Sequence, residues 1–310
     1  MSGSAEGQTL AVLGTGLLGS AIAANLANHG FQVRVWNRTF AKAQGLERDG
    51  CVAFSELADA VADVDFVLTV LADGPTTVDV LLGAGQVLDT MQPPAMVVQV
   101  GTVGEATTAE LAREIQARGF GFIDCPVSGS REPALAGELV MLASGNPDLR
   151  PAVQPLLDAM GRKTVWSDTV GDGTRLKLAT NSWLGLSLQA LSEVVALCRI
   201  MGVDPERFLE IIASGPLDMP YAQSRGRAMR DASFEPPAFA LKLLVKDLDL
   251  ALRSARERSQ ESSLLALTLA RQTANDVCEA GYGDEDMTAI YRATQLGPEL
   301  NRVAAPENDR

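Results

Sequence analysis

This 310-residue chain is poor in the side chains that do most acid–base and metal chemistry. It has one histidine, His29, which excludes any mechanism needing a histidine base together with a histidine ligand or relay. Lysine stands at five positions only, Lys42, Lys163, Lys177, Lys242 and Lys246, against 21 arginines, so a lysine in a suggestive setting carries unusual weight. The four cysteines, Cys51, Cys125, Cys198 and Cys278, are far apart and form no C-x-x-C pair; they point to no disulfide framework and no zinc site, and no metal is expected. Positive charge is also short. The net charge is −13 and both halves of the chain are acidic, which argues against nucleic acid or an anionic membrane as partner. No stretch approaches 18 uninterrupted apolar residues, and the polar start MSGSAEGQ has no signal pattern, so a cytoplasmic location is expected.

What is present is a large apolar fraction, 46%, with 21% charged residues, enough for two packed cores. Residues 9–168 alternate short β-branched runs with amphipathic stretches, the pattern of a parallel sheet covered by helices. The runs are Thr9–Gly14, Gln32–Trp36, Asp65–Leu71, Met96–Val100, Phe120–Asp124 and Leu139–Ser144. After Gly171-Asp172-Gly173 strand signals nearly vanish. A long apolar-periodic run, Thr174–Met201, would make a helix about 40 Å long, and helical patterns follow at 205–214, 221–230, 239–258, 263–280 and 284–295. The expected architecture is an N-terminal α/β Rossmann domain, residues 1–170, with a doubly wound parallel sheet. An all-α C-terminal domain, 171–310, follows through the long interdomain helix.

The first strand runs into Gly14-Thr15-Gly16-Leu17-Leu18-Gly19 and then a helical run, which is the context a dinucleotide fingerprint requires. Gly14 allows the tight turn, Gly16 lets the backbone approach a pyrophosphate, and Gly19 lets the helix pack on the sheet; the helix N-terminus offers its N–H groups to phosphate. After the second strand, where an NAD site would place an acidic residue for the ribose hydroxyls, stands Asn37-Arg38-Thr39. A guanidinium suits the extra 2′-phosphate, so NADP(H) is preferred over NAD(H); the alternative is an ordinary exposed loop arginine. His29, just before Gly30, reads as a helix C-cap.

Lys177 and Asn181 are four residues apart on the long helical run and share a face. Their neighbours Leu176, Leu178, Ala179, Trp183, Leu184 and Leu186 make an apolar setting in which a lysine pKa would fall toward that of a working general acid. A surface lysine laid along an amphipathic helix fits the spacing equally well.

Taken together, these segments resemble the β-hydroxyacid dehydrogenase family, the relatives of 3-hydroxyisobutyrate dehydrogenase. Its fingerprint is followed in order by D-x-P-V-S-G-G, G-x-x-x-K-x-x-N-N and F-x-x-x-L-x-x-K-D. Here the three stand as Asp124–Ser130, Gly173–Asn181 and Phe239–Asp247. The resemblance implies that Lys177 is the catalytic acid/base, that Asn181 helps hold it and the substrate, and that Ser128, Gly129 and Ser130 form the substrate grip. It also implies that Lys246 reaches the cofactor region from the helical domain and that Thr102 lines the nicotinamide. Leu71, Ala72 and Thr76, in and after the loop following Asp65–Leu71, are further expected cofactor contacts. Ser130-Arg131-Glu132-Pro133-Ala134 looks nearest to the glyoxylate and succinic semialdehyde reductase branch, which agrees with NADPH. Gly101 replaces the serine of the usual S-T-V, removing one hydroxyl beside the nicotinamide, and Thr180 stands where many members have the first asparagine.

The implied activity is an NADPH-dependent reductase of a small aldehyde or keto acid, with a homodimer or homotetramer as the expected assembly. Two alternatives remain at this level. An imine reductase or reductive aminase of the same superfamily shares the architecture and the N-R-T loop but typically lacks the lysine. A cofactor-binding module without chemistry would be expected to lose Lys177 or the P-V-S-G anchor first.

Overall fold

The computed structural model describes residues 7–83, 87–259 and 263–296. They fall into two compact units, divided between Leu178 and Ala179. The first unit is built on nine strands: β1 (Thr9–Leu13), β2 (Gln32–Trp36), β3 (Val52–Phe54), β4 (Phe66–Thr69), β5 (Met96–Gln99), β6 (Gly121–Asp124), β7 (Val127–Ser128), β8 (Leu139–Gly145) and β9 (Gly161–Ser167). The helices of eight or more residues are α1 (Leu17–Asn28), α2 (Gly74–Leu82), α3 (Glu105–Ala117), α4 (Arg150–Met160), α5 (Asp172–Ile200), α6 (Pro205–Ile212), α7 (Pro220–Arg230), α8 (Leu241–Arg258) and α9 (Leu265–Val277).

Strand order is β3-β2-β1-β4-β5-β6-β8-β7, with β9 on β8. The pairs from β3 to β6 are parallel, β8 is antiparallel to β6 and β7, and β9 is parallel to β8. The run 3-2-1-4-5-6 is the doubly wound order, whose direction reverses between β1 and β4. The central strands are apolar on both faces, as a sheet covered on both sides demands. Leu10, Val12, Phe66, Leu68 and Val98 point into one core layer, and Ala11, Leu13, Val67 and Val97 into the other.

All six expected strands form. β9 gave no clear signal because Arg162 and Lys163 alternate with its apolar residues; it lies at the sheet edge, where charge is tolerated and protects against further pairing.

The second unit is helical, around Leu188, Leu191, Val195, Leu244, Leu248, Ile290 and Tyr291. The expected helix 284–295 is instead a 3-10 helix, Met287–Arg292, followed by one short turn. Asp286 explains the tightening: its buried carboxylate accepts from the N–H groups of Ala238 and Thr288 and from the Thr288 hydroxyl, a knot that an α-turn would break. Each unit has its own share of α5, whose first turn belongs to the first unit, so the division falls beyond the expected boundary at 170/171. Among the described residues α5 alone is long and apolar enough to span a membrane by length and composition. Its first turn is nonetheless held by a polar network in the sheet unit, and Leu188, Leu191 and Val195 are spent in the helical core.

Candidate active site

Parallel strands deliver their following loops to one edge of the sheet, and that is where the sequence motifs gather. Gly14 follows β1, Asn37 follows β2, Leu71 and Ala72 follow β4, Thr102 follows β5, and Ser128 lies four residues after the end of β6. The loops are in contact. Gly14 sits at φ +103°, donates to the Trp36 carbonyl at 2.9 Å, and has the Val70 carbonyl only 2.5 Å from where a Cβ would be. A Cβ on Gly19 would lie 1.9 Å from the Gly14 carbonyl, whereas one on Gly16 would meet nothing within 4 Å. The fingerprint therefore has two glycines forced by packing and one that faces open space, as an approaching pyrophosphate needs.

Two further observations fit a dinucleotide. Helix α1 starts at Gly16 with no side-chain cap, leaving its first N–H groups to a ligand, and the Thr15 hydroxyl is buried without a hydrogen-bond partner. Leu17, half exposed, and Leu18 flank this start.

Asn37 is a brace. Its Oδ1 accepts from the Thr15 N–H at 3.2 Å and its Nδ2 donates to the Thr39 carbonyl at 3.1 Å, tying the loop after β2 to the glycine loop. Arg38 and Thr39 are exposed beside it. Thr76 is in the first turn of α2, its N–H donating to the Asp73 carboxylate at 2.9 Å. His29 caps α1 through its ring nitrogen, 2.8 Å from the Asn25 carbonyl.

The loop after β5 is locked by Gln99, which in the sequence is simply one residue of a strand run. The fully buried amide accepts from the Thr69 hydroxyl at 2.7 Å and donates to the Gly101 carbonyl at 2.6 Å. A Cβ on Gly101 would lie 2.7 Å from the Leu71 carbonyl. Gly101 is thus more than the loss of a hydroxyl: it lets the loops after β4 and β5 pack backbone to backbone. Half-buried Thr102 follows directly.

At the end of β6 lies Asp124, fully buried. Its carboxylate accepts from the Thr174 N–H and hydroxyl, both at 2.8 Å, and from the Ser144 hydroxyl at 3.0 Å; the Ser144 oxygen in turn accepts from the Gly173 N–H at 3.0 Å. Burial raises the Asp124 pKa to about 6, while the donors from Thr174 and Ser144 and the nearby Arg175 pull it down. Arg175 is itself paired with Glu105 at 2.7 Å and with Asp172. The helix carrying Lys177 therefore begins at the same sheet edge, with its N-terminus on a carboxylate. Lys177 is half-buried, one turn beyond Thr174.

Ser128, at the end of β7, is half-buried and Gly129, at φ +133°, is exposed. Both border an open depression of ≈ 580 Å³ whose lining includes Glu138 and Arg162. Ser130 precedes the short helix Arg131–Leu135 as its N-cap residue.

In the helical unit, Asn181 is 3% exposed and its side-chain amide donates to the carboxylate of Asp247. Lys246 Nζ lies 2.9 Å from the other oxygen of that carboxylate. The K-D end of the third motif and the asparagine of the second are therefore one cluster. Lys246 and Asn181 are legible in the sequence motifs, whereas Asp247 is not; its acidic side chain at a helix position otherwise fit for apolar residues is the available signal.

The family model for the NAD binding domain of 6-phosphogluconate dehydrogenase matches residues 9–169, and that for the NAD-binding region of NADP-dependent 3-hydroxyisobutyrate dehydrogenase matches 171–294. The chain belongs to the β-hydroxyacid dehydrogenase family. It is an NAD(P)-dependent oxidoreductase working between hydroxy and carbonyl compounds. This dehydrogenase is 30% identical to glyoxylate/succinic semialdehyde reductase 1 of Arabidopsis thaliana, over 93% of its own chain and 98% of the relative. It is 32% identical to the chloroplastic reductase 2 of the same plant, over 92% and 79%. A crystal structure of 3-hydroxyisobutyrate dehydrogenase from Salmonella typhimurium superposes with a TM-score of 0.82 at 23% identity, covering 92% of this chain and 99% of that one. An imine reductase from Myxococcus stipitatus shares the fold less closely, with a TM-score of 0.61 at 20% identity over 92% and 99%.

Proposed function

We propose that the dehydrogenase reduces a small aldehyde or keto acid with NADPH, and that Lys177 gives the proton to the carbonyl oxygen. The observation that carries this is the start of α5. The half-buried lysine stands one turn beyond a helix N-terminus fixed on Asp124, at the sheet edge that also bears the fingerprint and, four residues after Asp124, Ser128. With one histidine in the chain, engaged as a helix cap, no imidazole competes for the role.

The cofactor, when bound, supplies the hydride. The chain's own residues do the rest. The first N–H groups of α1 and the Thr15 hydroxyl take phosphate oxygens, and Arg38 pairs with the 2′-phosphate. Gln99 fixes Gly101 in one loop conformation, and Thr102, next along, would line the nicotinamide. The Ser128 hydroxyl and the Gly129 N–H take the substrate carboxylate, which an acidic protein must attract locally. Lys177 is charged before the reaction and neutral after it, so the proton moves from Nζ to the substrate oxygen as that oxygen becomes a hydroxyl. The glyoxylate and succinic semialdehyde reductases among the relatives support this substrate class.

Lys177→Ala is expected to lower kcat by about 10²-fold or more while changing the Kd for NADPH less than about twofold. Loss of cofactor binding with intact turnover would reverse the assignment. Arg38→Ala should weaken NADPH binding by about 10- to 100-fold and leave NADH nearly unaffected; equal losses for both cofactors would remove the 2′-phosphate role. Running the wild type on glyoxylate, succinic semialdehyde and a cyclic imine separates carbonyl from imine reduction.

The assembly we infer is a homodimer or homotetramer. Trp183, Leu197 and Ile200 on α5, with Ile211 just beyond, are 50–82% exposed in the single chain, an apolar surface that a second subunit would cover.

A further inference from the structure

We propose that Asp124 is a positioning residue for the reaction: its buried carboxylate fixes the first turn of α5, and with it Lys177, against the strand that leads into the Ser128–Gly129 loop. This rests on the reading of Lys177 as proton donor. Asp124, Ser144, Thr174 and Thr108 are all fully buried, so their polar groups have no water to turn to. Three donors converge on Asp124: the backbone N–H and hydroxyl of Thr174 and the hydroxyl of Ser144. Only a carboxylate accepts all three; an amide would set its own NH2 against one of them.

The cluster continues to the loop after β5. Thr108 Oγ1 lies 3.1 Å from Thr174 Oγ1 and 2.9 Å from the Gly104 carbonyl, two residues beyond Thr102. One buried chain of polar contacts therefore joins three segments that bear on the chemistry. These are the loop holding Thr102, the strand end leading to Ser128, and the turn that precedes Lys177 by one helical repeat. An ordinary helix cap would need one such bond. Here the helix start is held from two sides, because Ser144 on β8 takes the Gly173 N–H while Asp124 on β6 takes that of Thr174.

The test uses the full chain with NADPH and either glyoxylate or succinic semialdehyde, whichever is turned over faster. Thr174→Val removes the hydroxyl and keeps the shape; Thr174→Ser keeps the hydroxyl. We expect Thr174→Val to lower kcat about tenfold, with the aldehyde KM and the NADPH Kd within about twofold, and Thr174→Ser to restore at least about half of the wild-type rate. Backbone amides of residues 175–178 should exchange with deuterium about tenfold faster in Thr174→Val than in wild type. Asp124→Asn should show the same split more strongly; if it fails to fold, the Thr174 pair still decides. Wild-type kcat and exchange in Thr174→Val would overturn the proposal, as would a parallel loss of melting temperature, cofactor affinity and rate, the mark of a merely structural bond. A Lys177→Ala protein that keeps its rate would reject the proton-donor reading instead, and with it the catalytic consequence. The exchange measurement would then still show whether Asp124 and Thr174 hold the turn.

Discussion

Asp124 holds a negative charge where no water reaches it. Burial outweighs the donors around it, so its pKa rises from 3.8 to about 6. The sign of the stability effect follows. Between pH 3.8 and about 6 the folded protein binds this proton more than the unfolded chain does, so the group's contribution to stability is full below that window and is lost as pH rises through it. Thermal unfolding of wild type and Asp124→Asn from pH 4 to 7 should show the wild type's advantage shrinking as pH rises. An advantage that grows with pH would mean that the donors, and not burial, dominate the site. Arg175, Glu105 and Asp172 form the nearby ionic set, and each is present in both proteins, so the difference isolates Asp124.

At the scale of the element, α5 begins where it does because Gly173 permits it. A Cβ there would stand 2.1 Å from the Leu142 carbonyl and 3.0 Å from that of Asp124. The glycine of the G-x-x-x-K motif thus has a packing cause: it lets a helix N-terminus close onto two strands. Both neighbours are backbone, which cannot swing aside, so Gly173→Ala should cost about 3 kcal/mol, read as a lower denaturation midpoint, and should reduce kcat as well. A variant with wild-type stability would show that the helix start slides without cost. The loop after β5 follows the same logic at Gly101, where backbone approach replaces a side chain.

For the whole molecule, the proposed assembly rests on large apolar side chains left exposed on α5, α6 and α9. Ile200 is 82% exposed, Ile211 81%, Leu265 77% and Trp183 64%. Sedimentation velocity should give two or four times the chain mass, and Ile200→Glu with Ile211→Glu should shift it toward the monomer. A wild-type protein that sediments as a monomer would leave those residues without a partner and sink the expected assembly. The charge of −13 belongs to this scale too. On the proposed reading, Arg38, the α1 N-terminus and the Ser128-Gly129 backbone would draw in anionic cofactor and substrate against a repulsive background, so weaker binding at low ionic strength is expected, read as a higher Kd for NADPH as salt is removed.

The sequence by itself determined the local structure and the order of the motifs. The β-branched runs gave the strands, the fingerprint lay between a strand and a helix, and Lys177 and Asn181 stood at helical spacing, because each of these signals is written within about a dozen neighbouring residues. Strand β9 escaped because its charges masked the alternation, and Met287–Arg292 because a buried carboxylate tightened a helical pattern. Only the tertiary structure decided which distant residues meet. Asp124 reaches Thr174 across 50 positions and Asn181 reaches Asp247 across 66. No spacing rule encodes those pairings; the first exists because a parallel sheet brings separate parts of the chain to one edge, the second because α5 and α8 of the helical unit bury polar groups that must find partners in whatever the fold places beside them.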